Sequence, residues 1–598
     1  MINISKILSE EFSIQELINF ISDLSRLHRI QGCKELEEAG EYIKSILEKE
    51  EALEVELKKF SYNKPYGSFR AVTGWWVKDG ELRLIKPKEE LIHSYKNSRT
   101  LITAHSPGGT IEGEVVHIGD GENPANYEKL DVNGKIVLAY GYPYIIYKQA
   151  TSRGAIGLLI YKKSGVESAV PYTGLFLTPE EAREAKAPSM SISRRMAEKL
   201  IRIIEKGEKP IVKMKVEAGY REEAWIPVVT AKIGNGETEI HLCAHYCHPA
   251  GTVNDNISGT ATLMELALSF ARAIKKGKIS KPDKHSIKFI WFPEYAGSLA
   301  YMINTKQKVE FCINLDMIGE KQHLTGSTLN FIKSPPRYFH PYEAVVYYKL
   351  KQALSHSESL SSPRKALSYK YDVNIYETGS DHDIYLHFNT PSIMLNQWPD
   401  KYYHTDQDTI DKFDPQIAAK IAMAVGTAAY IISKNEEKGE VENLVRSYFY
   451  EYIGRELSET PSKLLEKRQK YLIKTIGKRI LSQIQDEIIE KIVESVSEKE
   501  GKREEELYVY KGPIGPISTR QLFTKLSRED LKKLRKIYEK EPYMRTLGNL
   551  IPLYMKKPTS LNRLKEMIEE DYGIEIETKI LKEMIEMLIK ANLIEKAG

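Results

Sequence analysis

Histidine and acidic residues recur in this chain just after short apolar runs. His245 follows IHLCA, Glu294 follows KFIWFP, Asp316 closes INLD, and His404 comes shortly after SIMLNQWP. Asp255, in VNDNISG, lies between the first of these runs and the helical stretch behind it, where its carboxylate can reach the same edge. Imidazole and carboxylate groups suit zinc, and oxygen-rich positions leave room for water beside the ion. A single His or Asp in such a loop is usually structural. Five in topologically equivalent places point to a metal centre.

The elements that must position these residues can be read from periodicity. Residues 226–435 alternate strand and helix, with ETEIHLCAH, SIKFIWFPE, FCINLDMIG and PSIMLNQW as strands and SGTATLMELALSFARAIKKG and GSLAYMINT as helices. That pattern predicts an α/β fold with a mainly parallel, mixed sheet between helices, whose ligands collect outside the carboxyl ends of the strands. Upstream, residues 14–49 have helical spacing interrupted near Gly32, and LEVELKKFSY alternates like a half-buried strand. From about 75 to 222 short β-like runs (GEVVHIG, GKIVLAYG, GAIGLLIY, SMSISR) predict an inserted β-rich domain, better suited to a lid or docking role than to catalysis.

Residues 438–505 read as a charged helical linker region, with SEKEGKREEE as its solvated run. Three helical patterns follow in LGNLIPLYM, SLNRLKEMIEEDYG and ETKILKEMIEMLIKANLI, punctuated by Pro558 and Gly573, and suggest a winged-helix-like C-terminal domain. The resulting division is 1–74 and 223–437 for the α/β domain, 75–222 for the insert, 438–505 for the linker region and 506–598 for the C-terminal domain.

Composition narrows the function classes. A chain of 598 residues exceeds what one core organises, and its 41% hydrophobic and 28% charged residues argue against disorder. The 87 Lys and Arg against 83 Asp and Glu leave a balance of +4, too small to imply a polyanionic partner. In the last helix Glu577, Lys579, Lys582, Glu583, Glu586 and Lys590 interleave rather than form a basic face, which argues against nucleic-acid binding. Its broad apolar face (Ile580, Leu581, Met584, Ile585, Leu588, Ile589) suits intramolecular docking or homo-oligomerisation. MINISKILSEEF lacks a leader pattern and no run of about 18 apolar residues appears, so a cytoplasmic protein without a membrane partner is expected. Cys33, Cys243, Cys247 and Cys312 are too few for a disulfide framework. Abundant Lys, Glu, Ile and Tyr resemble a heat-adapted, thermophilic composition.

HYCHPAGTVNDNISG, WFPEYAGSLAY, FCINLDMIG, TGSDHDIY and YHTDQDT together resemble the ordered motif set of the zinc aminopeptidase and glutamate-carboxypeptidase-like metallopeptidases (MH clan), in an archaeal-type arrangement. GKIVLAYG, GAIGLLIY and APSMSIS resemble a PA domain inserted early in such a peptidase. The likeness spans roughly residues 10–435. It implies zinc, one or two ions per chain, with His245 and Asp316 on one ion, His404 on the other and Asp255 bridging both. It further implies peptide substrates, and Glu294 as the base that activates a metal-held water. Asp381 and His382 would lie near the substrate or behind the metal ligands, and Tyr402 and Tyr403 could donate to a developing oxyanion.

Two positions depart from the family pattern. Where the family usually has a second glutamate, as a metal ligand, this chain has Tyr295, and Glu320 and Glu377 are candidates to replace it. Where the family usually has an aspartate two residues after the first ligand histidine, this chain has Cys247, so another carboxylate, with Asp381 and Asp383 as candidates, or a backbone carbonyl would have to support His245. Cys247 and His248 could themselves bind metal, and Cys243 lies four residues before Cys247. The acids of Ser380–Asp383 are also well placed to cap a helix. A carboxypeptidase or amidohydrolase on the same scaffold, and a noncatalytic metal-binding regulatory protein, are the competing functions.

Overall fold

Gly32 breaks the N-terminal helical pattern because the chain turns there with φ +88° and a Cβ would lie 2.8 Å from the Thr73 carbonyl oxygen. The helices Ile14–Ser25 and Lys34–Leu47 flank the break, preceded by a further helix, Ile4–Glu11, that begins at an Asn3 cap. A computed structural model describes residues 3–355, 369–496 and 506–597, so most of the SEKEGKREEE run lies outside the described residues.

After the edge strand β1 (Glu54–Ser61), the insert contributes β2 (Gly74–Lys86), β3 (Glu90–Ser94), β4 (Gly109–Asp120), β5 (Ile136–Tyr140), β6 (Gly157–Ile160), β7 (Ser189–Ser191) and β8 (Ile211–Arg221). They form one sheet in the order β3-β2-β8-β4-β5-β6-β7. The motif strands β4 to β7 run parallel, whereas β2 and β8 form a long antiparallel ribbon.

The central sheet adds β9 (Trp225–Ile233), β10 (Thr238–His245), β11 (His285–Phe292), β12 (Val309–Leu315), β13 (Thr328–Ile332), β14 (Tyr371–Asn374) and β15 (Ser392–Trp398). Its order is β1-β9-β11-β10-β12-β15-β13-β14, mixed as the sequence predicts. β10, β11, β12 and β15 are parallel and almost wholly buried, which explains why they read as continuous apolar runs. From β10 the chain crosses through Gly259–Lys275 to β11 on one side, then through Ala296–Asn304 to β12 on the other. Right-handed crossovers in opposite directions put these helices on opposite faces and open a crevice at the carboxyl end of β10.

The apolar helix Pro415–Ile432 packs against Gly259–Lys275, and most of its side chains are buried in that core. The helices Lys438–Ser458 and Ser462–Leu481, in the expected linker region, also belong to it through Tyr448, Phe449, Leu472 and Ile476. The C-terminal module is a three-stranded antiparallel sheet of β16 (Leu507–Tyr510), β17 (Thr559–Ser560) and β18 (Ile594–Ala597), in the order β17-β16-β18, with five helices. In the last helix Ile580, Leu581, Met584, Ile585 and Leu588 are buried within the module's own core, the intramolecular alternative for that face.

Arg468 joins these parts. Its guanidinium pairs with Glu456, which also pairs with Lys333, and donates to the carbonyls of Glu456 (2.7 Å), Glu570 (3.3 Å) and Asp571 (3.2 Å). Removing one member of a buried charge network leaves its partners without compensation, so Arg468→Ala should cost about 3 to 5 kcal/mol in denaturant unfolding. A loss below about 1 kcal/mol would show that the network is not structurally important.

Candidate metal centre

The crevice brings His245, Asp255, Asp316 and His404 together with His248. The His245 Nε2 lies 3.1 Å from Asp316 Oδ1 and 3.4 Å from Asp255 Oδ1. The other Asp255 oxygen lies 2.9 Å from His404 Nε2 and 3.4 Å from His248 Nε2. Two three-residue donor sets result, His245–Asp255–Asp316 and His248–Asp255–His404, with donor atoms in each within 4.8 Å of one another.

The chemistry of the second set fits a cation. His248 Nδ1 is 2.5 Å from the Cys247 carbonyl oxygen, an acceptor only, so Nδ1 carries the proton and Nε2 presents a lone pair. That lone pair meets His404 Nε2 at 3.1 Å, beside the Asp255 carboxylate. Burial pushes His248 down to about 3 and also lowers His404, favouring the neutral, metal-binding forms. Burial also opposes charging His245, but the Asp316 and Glu294 carboxylates outweigh it and hold that imidazole well above its ordinary range.

Surrounding elements fix these donors. Arg29, fully buried, donates through Nε to the Tyr246 carbonyl at 2.8 Å, and its own carbonyl accepts from the His248 N–H at 3.0 Å. Asp408 accepts from the N–H groups of Asn254 and Asp255 at 2.8 and 3.1 Å. Asn256 donates to the Leu315 carbonyl at 2.8 Å and accepts from the Met317 N–H at 3.0 Å, locking the Asp255 turn to the Asp316 turn. A Cβ at Gly259 would sit 2.4 Å from the Leu315 oxygen, so only glycine permits this approach. His248, Tyr295 and His404 have φ of +128°, +56° and +52°, three strained non-glycine positions around one centre.

Several sequence expectations need correction. Neither Glu320 nor Glu377 takes the vacant ligand position. Glu320 is buried, and its carboxyl is pushed up to about 9 by burial and by Asp400, which favours the protonated form. Glu377 is exposed, and its carbonyl oxygen faces His382 Nε2 at 2.8 Å. Tyr295 points away from the centre, its hydroxyl donating to Asp383 at 2.9 Å and its N–H to Asp381 at 2.8 Å. Asp381 therefore holds this turn instead of capping the helix His382–His387, and Asp383 binds Tyr376, Thr378 and Gly379 as well. His245 Nδ1 is paired with Cys247 Sγ at 3.7 Å, and neither Asp381 nor Asp383 hydrogen-bonds to it. Cys243 lies apart, beside Cys312 at 3.5 Å within the sheet. Tyr403 stacks on His404 with ring centroids 3.8 Å apart, and burial together with the nearby acids Asp255, Glu294 and Asp316 raises its hydroxyl well above its ordinary range, which places it beside the centre, whereas Tyr402 packs against Lys401 and Lys412.

Glu294 stands beside both donor sets. Its carboxylate lies within 4.8 Å of the donor atoms of His245, Cys247 and His248, while its N–H donates to Cys247 Sγ at 3.2 Å. Burial, with Asp381 and Asp316 nearby, raises this carboxyl well above its ordinary range. Two further residues come from distant segments. Gln31 donates to the Glu294 carbonyl at 2.9 Å, and Tyr172 of the insert places its ring 5.2 Å from both His248 and His404. The Tyr172 N–H donates to the His404 carbonyl at 2.8 Å, and Pro171 bridges to Thr405, so the insert grips the His404 loop directly.

Residues 228–429, about a third of the chain, match the family described as peptidase family M28. In structure the chain is similar to a zinc aminopeptidase from Bacillus subtilis, at 19% identity and a TM-score of 0.51 over 71% of this chain and 96% of that one. It is also similar to a peptidase M28 precursor from Shewanella amazonensis, at 14% identity and a TM-score of 0.52 over 72% and 96% of the two chains. At these identities the likeness is one of fold. A search of curated proteins finds no match.

The donor sets predict which substitutions change metal content. His248→Ala should retain about half the zinc of the unaltered protein after dialysis, and Glu377→Gln should retain all of it. Unchanged zinc in His248→Ala, measured by atomic emission, would remove His248 from the ligands.

Proposed function

We propose that the chain is a zinc-dependent aminopeptidase that removes N-terminal residues from peptides. The observation that carries this reading is the pair of donor sets sharing Asp255, each complete without Glu294. His245 and Asp316 would hold one ion, His248 and His404 a second, and Asp255 both. Zinc bound there would bring the pKa of water down to about 7 and polarise a peptide carbonyl.

His248 supplies what Tyr295 cannot, and Glu294 is thereby released from ligation. Its carboxylate is placed to take a proton from the attacking water and deliver it to the amine that leaves as the C–N bond breaks. Cys247 and Gln31 orient this turn, through the N–H and the carbonyl of Glu294. The insert, PA-like in sequence, shields the site through Tyr172 and restricts it to small peptides. The family match over residues 228–429 supports the peptidase assignment, and an aminopeptidase is favoured by the acids that surround the centre and can receive a substrate ammonium group.

Aminoacyl anilides should be hydrolysed and their N-acetylated counterparts left intact. Glu294→Gln should lower kcat by about 10² to 10⁴ while zinc content stays unchanged. Cleavage of the blocked substrates would favour a different zinc hydrolase. Undiminished turnover in Glu294→Gln would contradict the assigned base.

A further inference from the structure

A cavity of about 580 Å³ opens from the metal centre and is walled by the α/β domain, the insert and the C-terminal module. Glu294, His248 and His404 line it from the metal centre, Phe69 and Arg70 come from the N-terminal segment, Tyr142, Tyr172 and Phe176 from the insert, and Arg520, Tyr538 and Arg545 from the C-terminal module. The C-terminal wall is pinned in place. Arg520 pairs with Glu181 and donates to the carbonyls of Leu175 and Phe176 at 2.9 and 2.6 Å, and Asn549 donates to Thr378 at 2.8 Å.

Charge is distributed unevenly along this cavity. Glu294 is the only acid lining it among the described residues, and Asp255, Asp316 and Asp381 cluster around that glutamate. The remaining walls carry three arginines. Arg70 and Arg520 share the single carboxylate of Glu181, with Arg70 at 3.7 Å from it. Arg545 has no carboxylate partner among the described residues. Its guanidinium lies over the Tyr538 ring at 5.3 Å, on an exposed side chain that remains free to form a two-pronged contact.

Resting on the aminopeptidase reading, we infer that this cavity binds short peptides as zwitterions, with Arg545 receiving the C-terminal carboxylate while the amino end faces the acidic metal centre. Cavities of roughly 300 to 1,000 Å³ enclose ligands the size of small drugs, which corresponds to peptides of about two to four residues. The walls also include Phe69, Val72, Leu299, Ile517 and Leu522, which suit apolar side chains. The C-terminal module thus acts as a specificity element that measures the distance from amino group to carboxylate.

Binding separates this inference from the catalytic one. Calorimetry on zinc-loaded, full-length Glu294→Gln protein would compare Leu-Gly-Gly, its C-terminal amide, and amidated Leu-Gly-Asp. The free acid should bind at least about tenfold more tightly than either amide, the low end for a hydrogen bond to a charged group. Adding Arg545→Ala should abolish that preference, and Arg545→Lys should restore part of it. Equal binding of acid and amide, absence of binding by all three peptides, or a preference that survives Arg545→Ala would overturn the inference. Binding of amidated Leu-Gly-Asp as tightly as the free acid would overturn it too, by assigning Arg545 to an acidic side chain. Acid-selective binding without cleavage by the unaltered enzyme would leave this recognition standing and remove the peptidase reading.

Discussion

The two oxygens of Asp255 face opposite ways, one toward His245 at 3.4 Å and the other toward His404 and His248 at 2.9 and 3.4 Å. A carboxylate so placed, with three imidazoles converging on it in a buried crevice, is an arrangement that a low-dielectric interior tolerates only with compensating charge or shared protons. Much of the nearby structure holds it there. Asp408 fixes the Asp255 backbone, Asn256 ties its turn to that of Asp316, and the absence of a side chain at Gly259 lets the following helix approach the end of β12. Arg29 fixes the turn that carries His245 and His248.

Strain collects at the same place. His248, Tyr295 and His404 adopt positive φ, a conformation that costs a non-glycine residue about 1 to 3 kcal/mol and persists only where surroundings impose it. At Tyr295 the imposing contacts are Asp381 on the N–H and Asp383 on the hydroxyl, which together turn the ring outward. At His248 they are Arg29 and the Cys247 carbonyl, which aim Nε2 inward. On the proposed reading, the His248 imidazole occupies the ligand position that a second glutamate would fill at Tyr295.

The central strands were legible in the sequence because parallel, doubly buried strands are continuous apolar runs, and His245, Glu294 and Asp316 could be placed at or just after strand ends. Asp255 and His404 needed the motif resemblance as well, since turns leave no periodic signal. His248 was visible only as one of several candidates, because its role depends on a positive φ and on a partner 156 residues away. Gln31 and Tyr172 carried no signal, since they reach the centre from the N-terminal segment and the insert through tertiary packing. The helices Lys438–Ser458 and Ser462–Leu481 read as linker because their charged faces mask the narrow apolar stripe that joins the core.

The exchange of ligands between positions 295 and 248 is the central claim, and an anomalous-difference map collected at the zinc edge tests it most directly. The account predicts two peaks, one on each side of Asp255, the first bound by His245 and Asp316 and the second by His248 and His404, with Glu294 outside both coordination shells. A second peak bound by Glu294, Glu320 or Glu377 in place of His248 would contradict it.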